Sequence, residues 1–501
     1  MTQIDKAVLK ISAILRKASN IKNHFAPINQ IPPETLALAA TFLTKQRDVI
    51  NATAVCQQWR ATLLCFPRVW RKAGGRLSEL EAYLERSKSV PIEVDLFYPW
   101  LVTSIVPHTS RIENLTVSVE DSAGFEQIAK YLCDPIPTLH SLKLSTQIPQ
   151  LFTIEPHSGL FEGLFRHIKS LHLYGILSLR APQSFPHITE LFLCTGRCPL
   201  RPVADLVETL GQLPGLVKVD LLFQTDWHTY ISSPKTITLS CVEEIRLLTP
   251  DITGPSSGGT IPAIFQFLEL PRATVVSVQS PFMKWSSTPV FPDASFSQHL
   301  PNYVNLPELR VEAKNGSGEL TFKSASQAVL IYHTGLLDDL GWEVQLWGHL
   351  PISSIRRVTM IQSSLIYEEE EGWFGGLLGE LEFLELLELR GDCGHALMRL
   401  RHEMVRGIVR IDIDALVVHG GEYAKSQAFK FDAIKDEVGL GNMTVTYIPD
   451  PDALEMFSDF ESSSEDDWDD SSSGEDDESG EDDDDDDDDE NDEGDDEEED
   501  G

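Results

Sequence analysis

The 501-residue chain holds no apolar run of the length that spans a bilayer, so neither a membrane-spanning helix nor a membrane partner is expected. Cysteine is scarce. The seven, Cys56, Cys65, Cys133, Cys194, Cys198, Cys241 and Cys393, are odd in number and irregular in spacing, which excludes a disulfide framework. Free thiols fit a reducing cytoplasmic or nuclear setting. The N-terminus lacks the continuous apolar core of a secretory signal. Cys194-x-x-x-Cys198 has no second ligand pair at zinc spacing and reads as a loop coincidence.

Catalytic signatures are missing as well. There is no HExxH, no GxSxG and no pair of histidines at ligand spacing. Asp251–Thr260 (DITGPSSGGT) is a loop by composition, but its glycines do not follow phosphate-loop order and no Lys-Ser/Thr comes after them. Glu368–Gly379 reads as a surface loop with two aromatics. Asp412-x-Asp414 reads as polar positions of a half-buried strand. Cys393 and His395 are near in sequence, which alone makes no nucleophile–base pair. A non-catalytic protein with no cofactor and no metal is expected.

Positive charge is also short: 40 Lys and Arg stand against 79 Asp and Glu, a formal net charge of −39. The excess is concentrated. Glu461–Gly501 carries 28 acids and no base, which leaves 51 acids and 40 bases, or −11, for the rest. A body of that sign argues against direct nucleic-acid binding, which needs a basic footprint. Residues 451–501 bury too little apolar area to offset ordering entropy, and their charges repel, so a disordered acidic tail is expected. Such a tail attracts basic proteins such as histones, with strong salt dependence. Ser462, Ser463, Ser464, Ser472, Ser473 and Ser479 each precede an acid by three residues, the pattern an acid-directed kinase reads.

Residues 1–27 set Ile4, Val8, Ile11, Leu15 and Ala18 on one stripe, with Lys6, Lys10, Arg16, Lys17 and Lys22 around it. A short amphipathic helix packed beside the next segment is the preferred reading; a mitochondrial targeting helix is disfavoured by Asp5.

The next segment organises the chain. Pro32-Pro33 opens it, and proline suits a first helical turn because the missing N–H has no partner there. Glu34 follows, where a carboxylate favours the positive helix end. Leu36, Ala39, Ala40 and Leu43 recur at helical spacing. After Thr44-Lys45-Gln46 a second run carries Val49, Ala52, Val55, Cys56, Trp59 and Leu63, and Pro67 closes it before Val69-Trp70. Two or three short helices are predicted, with too little core to stand without a partner.

Ile31-Pro32-Pro33-Glu34-Thr35-Leu36, Phe42-Leu43, Val55-Cys56-Gln57-Gln58-Trp59-Arg60 and Pro67-Arg68-Val69-Trp70 together resemble an F-box, as found in fungal F-box proteins among others. Ile31, Thr35 and Val69 depart from the usual residues. The resemblance covers residues 28–72. It implies a Skp-type adaptor as partner and, through it, a cullin–RING ubiquitin ligase. The adaptor-facing set it implies is Ile31, Pro32, Pro33, Glu34, Leu36, Phe42, Leu43, Val55, Cys56, Trp59 and Trp70.

Helical spacing over Arg76–Lys88 and alternation over Ile92–Leu96 come next. Beyond them one triplet returns: apolar, two others, apolar, one other, apolar. It stands at Ile112/Leu115/Val117, Leu139/Leu142/Leu144, Ile168/Leu171/Leu173, Ile188/Leu191/Leu193, Leu216/Val219/Leu221, Val242/Ile245/Leu247 and Ala273/Val276/Val278. Later copies are Leu306/Leu309/Val311, Ile355/Val358/Met360, Leu384/Leu387/Leu389 and Ile408/Ile411/Ile413, with an insertion expected between Leu306 and Ile355. Intervals of roughly twenty to thirty residues resemble leucine-rich repeats. The expected fold class is α/β: a helical F-box, a leucine-rich-repeat-like horseshoe solenoid over 73–450 that binds an unknown protein substrate, and the tail.

Overall fold

The computed structural model describes residues 3–24, 27–43, 45–131, 136–146, 152–154, 167–179, 187–194, 203–223, 236–248, 260–280, 296–314, 317–334, 350–362, 378, 381, 383–391, 394–405, 413–435 and 443–449. Contacts divide the chain into two units, Met1–Leu454 and Glu455–Gly501. The expected tail and its serines lie outside the described residues, as do most of the two loops singled out above, Cys393 and Asp412.

Helix α1 (Gln3–His24) forms where the stripe predicts it, but it does not pack beside the following helices. Its apolar side chains are exposed, Ile4, Val8, Leu9, Ile11, Ile14 and Leu15 by 54–75%. Three short helices then follow, α2 (Pro33–Ala40), α3 (Gln46–Ala54) and α4 (Gln57–Cys65). Pro33 opens α2 at its first turn. The second sequence run is two helices because Cys56 is extended (φ −157°, ψ 173°) and breaks it. Arg60 Nε donates to the Thr53 carbonyl at 3.1 Å across this corner, supplying a partner for an orphan group at the end of α3. A 3-10 turn at Pro67–Trp70 leads into β1 (Lys72–Gly74), so the boundary drawn at residue 72 falls inside a strand.

Helix α5 (Leu77–Arg86) and β2 (Ile92–Leu96) follow as read. Sixteen of the described strands make one sheet, mostly parallel and mostly in chain order. After β2 come α6 (Val102–Ile105), β3 (Ile112–Val119), α7 (Ser122–Tyr131), β4 (Ser141–Thr146) and a short β5 (Phe152–Ile154). Next are β6 (Ser170–Tyr174), β7 (Ile176–Leu179), β8 (Glu190–Cys194), α8 (Val203–Gly211), β9 (Lys218–Leu222), β10 (Ile237–Thr238) and β11 (Glu244–Leu248). Then come α9 (Thr260–Phe267), β12 (Leu268–Glu269), β13 (Val275–Ser280) and α10 (Phe296–His299). The pairs β5–β7 and β10–β12 form two small parallel sheets of their own. Gly175 lets the chain turn from β6 directly into β7: its φ is +73°, and a Cβ there would lie 2.8 Å from the Thr146 carbonyl.

The second half holds β14 (Glu308–Lys314), β15 (Ser317–Lys323), β16 (Val329–Thr334), β17 (Arg357–Gln362) and β18 (Leu386–Gly391). It ends with α11 (Gly394–Val405), β19 (Ala415–Gly420), α12 (Glu422–Ile434) and β20 (Thr444–Pro449).

The triplets explain the packing. Leu142, Leu171, Leu191, Val219, Ile245 and Val276 stand opposite one another on successive strands, and all are buried. Each such side chain contributes at most about 1.5–3 kcal/mol relative to exposure. One apolar core runs from Ala40 to Met443, joining the helical segment and the sheet. The backbone is satisfied just before each strand in the same way. The carbonyls of His140, Lys169, Thr189, Val217 and Glu243 each accept two successive amides from the next strand's entry.

Two expectations are corrected. The triplet Ile408/Ile411/Ile413 is out of frame: β19 sets Leu416 opposite Leu387 and Val418 opposite Leu389, with buried Ile413 as the first member. An apolar-rich stretch fits the pattern in more than one frame, and pairing with β18 selects one. Asp414 accordingly precedes the strand, with its amide on the Glu385 carbonyl at 3.0 Å. Second, β14 is not the neighbour of β13. It pairs antiparallel with β15, which pairs antiparallel with β16, and β16 lies beside β13 while β14 lies beside β17. Lys314 faces Ser317 across a two-residue connection, Asn315-Gly316, a dipeptide that favours tight hairpins. Local hairpin closure thus reverses the strand order. With this antiparallel strand, and helices in only some connections, the described residues present a mixed α/β body on a large, mostly parallel sheet rather than a regular horseshoe.

Candidate functional site

The helical segment has an anchored side and an open side. Trp70 is 0% exposed and forms the anchor. Its Nε1 donates to the Leu63 carbonyl at 2.8 Å, and its ring meets Tyr83 of α5 edge-on with centroids 5.1 Å apart. The Arg86 guanidinium lies 4.5 Å from the same ring centre. The Tyr83 hydroxyl donates to the Gln46 carbonyl at 3.2 Å, and the Gln46 amide donates to the Lys72 carbonyl at 3.2 Å. Burial first, and the neighbouring Glu79 second, push the Tyr83 phenol up to about 12. Arg111 clamps the far end of α5, donating to the Leu84 carbonyl (2.6 Å), Ser87 Oγ (2.7 Å) and the Val90 carbonyl (3.2 Å). Burial lowers the Arg111 guanidinium from its ordinary value, and burial with the adjacent Arg111 charge lowers His108.

The residues singled out from sequence divide between the two sides. Leu36 and Trp70 are buried; Ile31, Leu43, Cys56 and Trp59 are half-buried; Pro32, Pro33, Glu34, Phe42 and Val55 are exposed. Phe42 is 77% exposed and Val55 57%. Leu38 and Ile50 are exposed as well, though neither belongs to the motif. The buried member Leu36 belongs to the inner side of α2 and supports the open side without forming it.

The outward side of the sheet carries the polar positions of the repeats. His172 stacks on Phe192 (5.6 Å between centroids, 18°) and Tyr174 tilts against the same ring at 4.8 Å. Burial lowers His172, helped by Lys143. Beside this trio, Arg246 pairs with Glu244 at 2.6 Å and with Asp220 at 3.9 Å, and Lys218 pairs with Glu244 at 3.2 Å. Burial raises the Asp220 carboxyl against the pull of Lys218 and Arg246. Farther along, Glu388 accepts from Arg390 (2.7 Å) and Thr359 (3.2 Å) and stands 2.9 Å from His419. Burial pushes Glu388 up, but the Arg390 and Thr359 hydrogen bonds and the Arg390 charge outweigh it, so its carboxyl sits below the usual range.

No family model and no curated protein matches the chain.

No group of three His, Cys, Asp or Glu is arranged to hold a metal ion among the described residues. No described helix is long and apolar enough to cross a membrane. Sequence reading missed the Tyr83 and Arg86 anchors, because they lie outside the motif and meet it only through the fold, and it missed the Arg111 clamp on the far end of α5. It also missed Leu38 and Ile50, which fall off the helical period used to pick core positions. Cys194, one half of the sequence pair, is buried at the end of β8.

Proposed function

We propose that the chain is a substrate receptor of the F-box kind. Its helical unit docks on a Skp-type adaptor, and through that on a cullin–RING ubiquitin ligase, while the body holds a target protein. The observation that carries this reading is that Leu38, Phe42, Ile50 and Val55 stay exposed while Ala40, Val49, Ala52, Leu63, Val69 and Trp70 of the same helical unit join the core of the body. An apolar surface of that kind on a small helical unit favours a partner. The row of buried triplets on strands in chain order supports a leucine-rich-repeat-like reading of residues 73–450, in irregular form. The aromatic and charged positions on the outward side of its strands supply a surface for a target. The chain then does no bond chemistry and contributes proximity and orientation. The seven cysteines of the sequence, odd in number and irregular in spacing, support a reducing cytoplasmic or nuclear compartment.

The test is a titration of the full chain against a purified Skp-type adaptor. Phe42→Asp is expected to weaken binding by tenfold or more, since burying a Phe side chain is worth about 1.5–3 kcal/mol. The melting temperature is expected to hold, because Phe42 is exposed. No binding by the parent chain, or equal binding by the variant, overturns the reading. Affinity purification with and without proteasome inhibition then identifies the target.

A second reading rests on a separate observation, the 28 acids and no bases of Glu461–Gly501. It makes the tail a salt-sensitive binder of basic proteins such as histones, compatible with the first reading and independent of ubiquitin ligation.

A further inference from the structure

We infer that α1 is an interfacial helix that lies on an anionic lipid surface. This goes beyond the adaptor reading and concerns a different part of the chain.

At 22 residues the helix is about 33 Å long. Ile4, Ala7, Val8, Ile11, Ile14 and Leu15 fall within an arc of about 120° at 100° per residue, and Leu9 alone among the large apolar residues lies opposite. The arc is not used by the fold: Ile4, Val8, Ile11, Ile14 and Leu15 are all more than half exposed. Five large apolar side chains left open on one face of a helix call for a cover.

Charge selects the cover. Lys6, Lys10 and Lys17 form a row along one flank of the arc, beside Ile14, and Arg16 and Lys22 bring the positive charges of the helix to five against Asp5. A second copy of α1 brings the same excess of positive charge, and the arc is wider than a two-helix seam of first and fourth heptad positions requires. An anionic lipid surface matches both features. The apolar arc enters the headgroup boundary, and the lysine stems run along it while their ammonium groups meet lipid phosphates and carboxylates. The helix does not cross the bilayer, in keeping with the absence of a spanning helix among the described residues. It does run against the sequence expectation that no membrane is a partner.

The test is co-sedimentation of the full chain with vesicles of about two parts phosphatidylcholine to one part phosphatidylserine, and with phosphatidylcholine alone. Binding is expected only to the anionic vesicles and is expected to weaken with salt. Each lysine near such a surface contributes about fivefold in affinity, so Lys6→Gln, Lys10→Gln and Lys17→Gln together are expected to lower binding by the order of a hundredfold. Ile11→Asp is expected to abolish it. Neither change is expected to alter the melting temperature or adaptor affinity, since these side chains are exposed and lie outside the adaptor-facing set. Absence of anionic-vesicle binding by the parent chain overturns the inference, as does binding that survives both changes. A dimer in sedimentation velocity that dissociates on Ile11→Asp, without vesicle binding, assigns the face to a second copy and overturns it equally.

Discussion

Trp70 offers the sharpest test of how the helical unit is held. Trp70→Ala removes a fully buried indole, its hydrogen bond to Leu63 and its edge contact with Tyr83. Truncations of this kind cost about 3–5 kcal/mol, of which the aromatic pair accounts for about 0.5–1.5. Trp70→Phe keeps a ring against Tyr83 and loses the N–H donor. The Leu63 carbonyl also accepts from the Phe66 amide at 3.2 Å, so it is not orphaned. The hydrogen-bond part of that change is therefore near about 1 kcal/mol. The assay is native-state hydrogen exchange on the full chain. For Trp70→Ala, amides of α4 and α5 are expected to exchange about 10²–10³ times faster. Strands β17–β19, far along the sheet, are expected to keep their protection, because strands in chain order stabilise mainly their neighbours. Unchanged exchange in α4 and α5 refutes the anchoring role. An equal rise in β17–β19 refutes the local reasoning, since the body then opens as one unit.

Three further outcomes are expected. With its phenol raised to about 12 in the fold, Tyr83 contributes stability that is intact below pH 10 and lost as pH rises from 10 through about 12; urea unfolding across that window is expected to show a smaller loss in Tyr83→Phe. Arg111→Met leaves the Leu84 and Val90 carbonyls and Ser87 Oγ without their charged donor and is expected to cost about 2–3 kcal/mol by denaturant titration, with Arg111→Lys recovering only part because it lacks the planar fork. Truncation after Phe460 removes 28 acids and is expected to leave the melting temperature and adaptor affinity nearly unchanged while the salt-sensitive part of basic-protein binding is lost; a salt titration with no tail-dependent component speaks against the second reading.

Much of the architecture was legible. Pro33, the helical spacing around Leu36 and the return at Trp70 marked the helical segment, because proline geometry and apolar periodicity act locally, but not the break at Cys56 that splits its second run into two helices. Ten of the eleven triplets fall in or just before strands, because a strand with one buried side must repeat its apolar residues at period two. The eleventh slipped its frame at Ile408–Ile413, where several isoleucines fit the pattern equally well. Trp59 and Trp70 read alike as aromatic positions of the motif. The fold half-buries Trp59 and fully buries Trp70, through contacts with α5 that no spacing within the motif reveals.

The sequence by itself determined the helical type of the N-terminal segments, the apolar side of the strands its triplets mark and the separation of the chain into a mildly acidic body and an intensely acidic end. Those follow from residue volumes, backbone preferences and charge, which are properties of neighbours along the chain. Only the tertiary structure decided the strand order around β14–β16, since competition between a local hairpin and a distant parallel neighbour is settled by closure and pairing together. It alone decided which apolar residues stay open. Phe42 and Leu36 read alike as apolar positions of one motif, and they differ, at 77% and 5% exposure, because Leu36 lies with Ala37 and Ala40 on the buried positions of α2 whereas Phe42 lies in the turn beyond the end of that helix. The same holds for α1, whose stripe predicted packing and found no surface within the body to cover it.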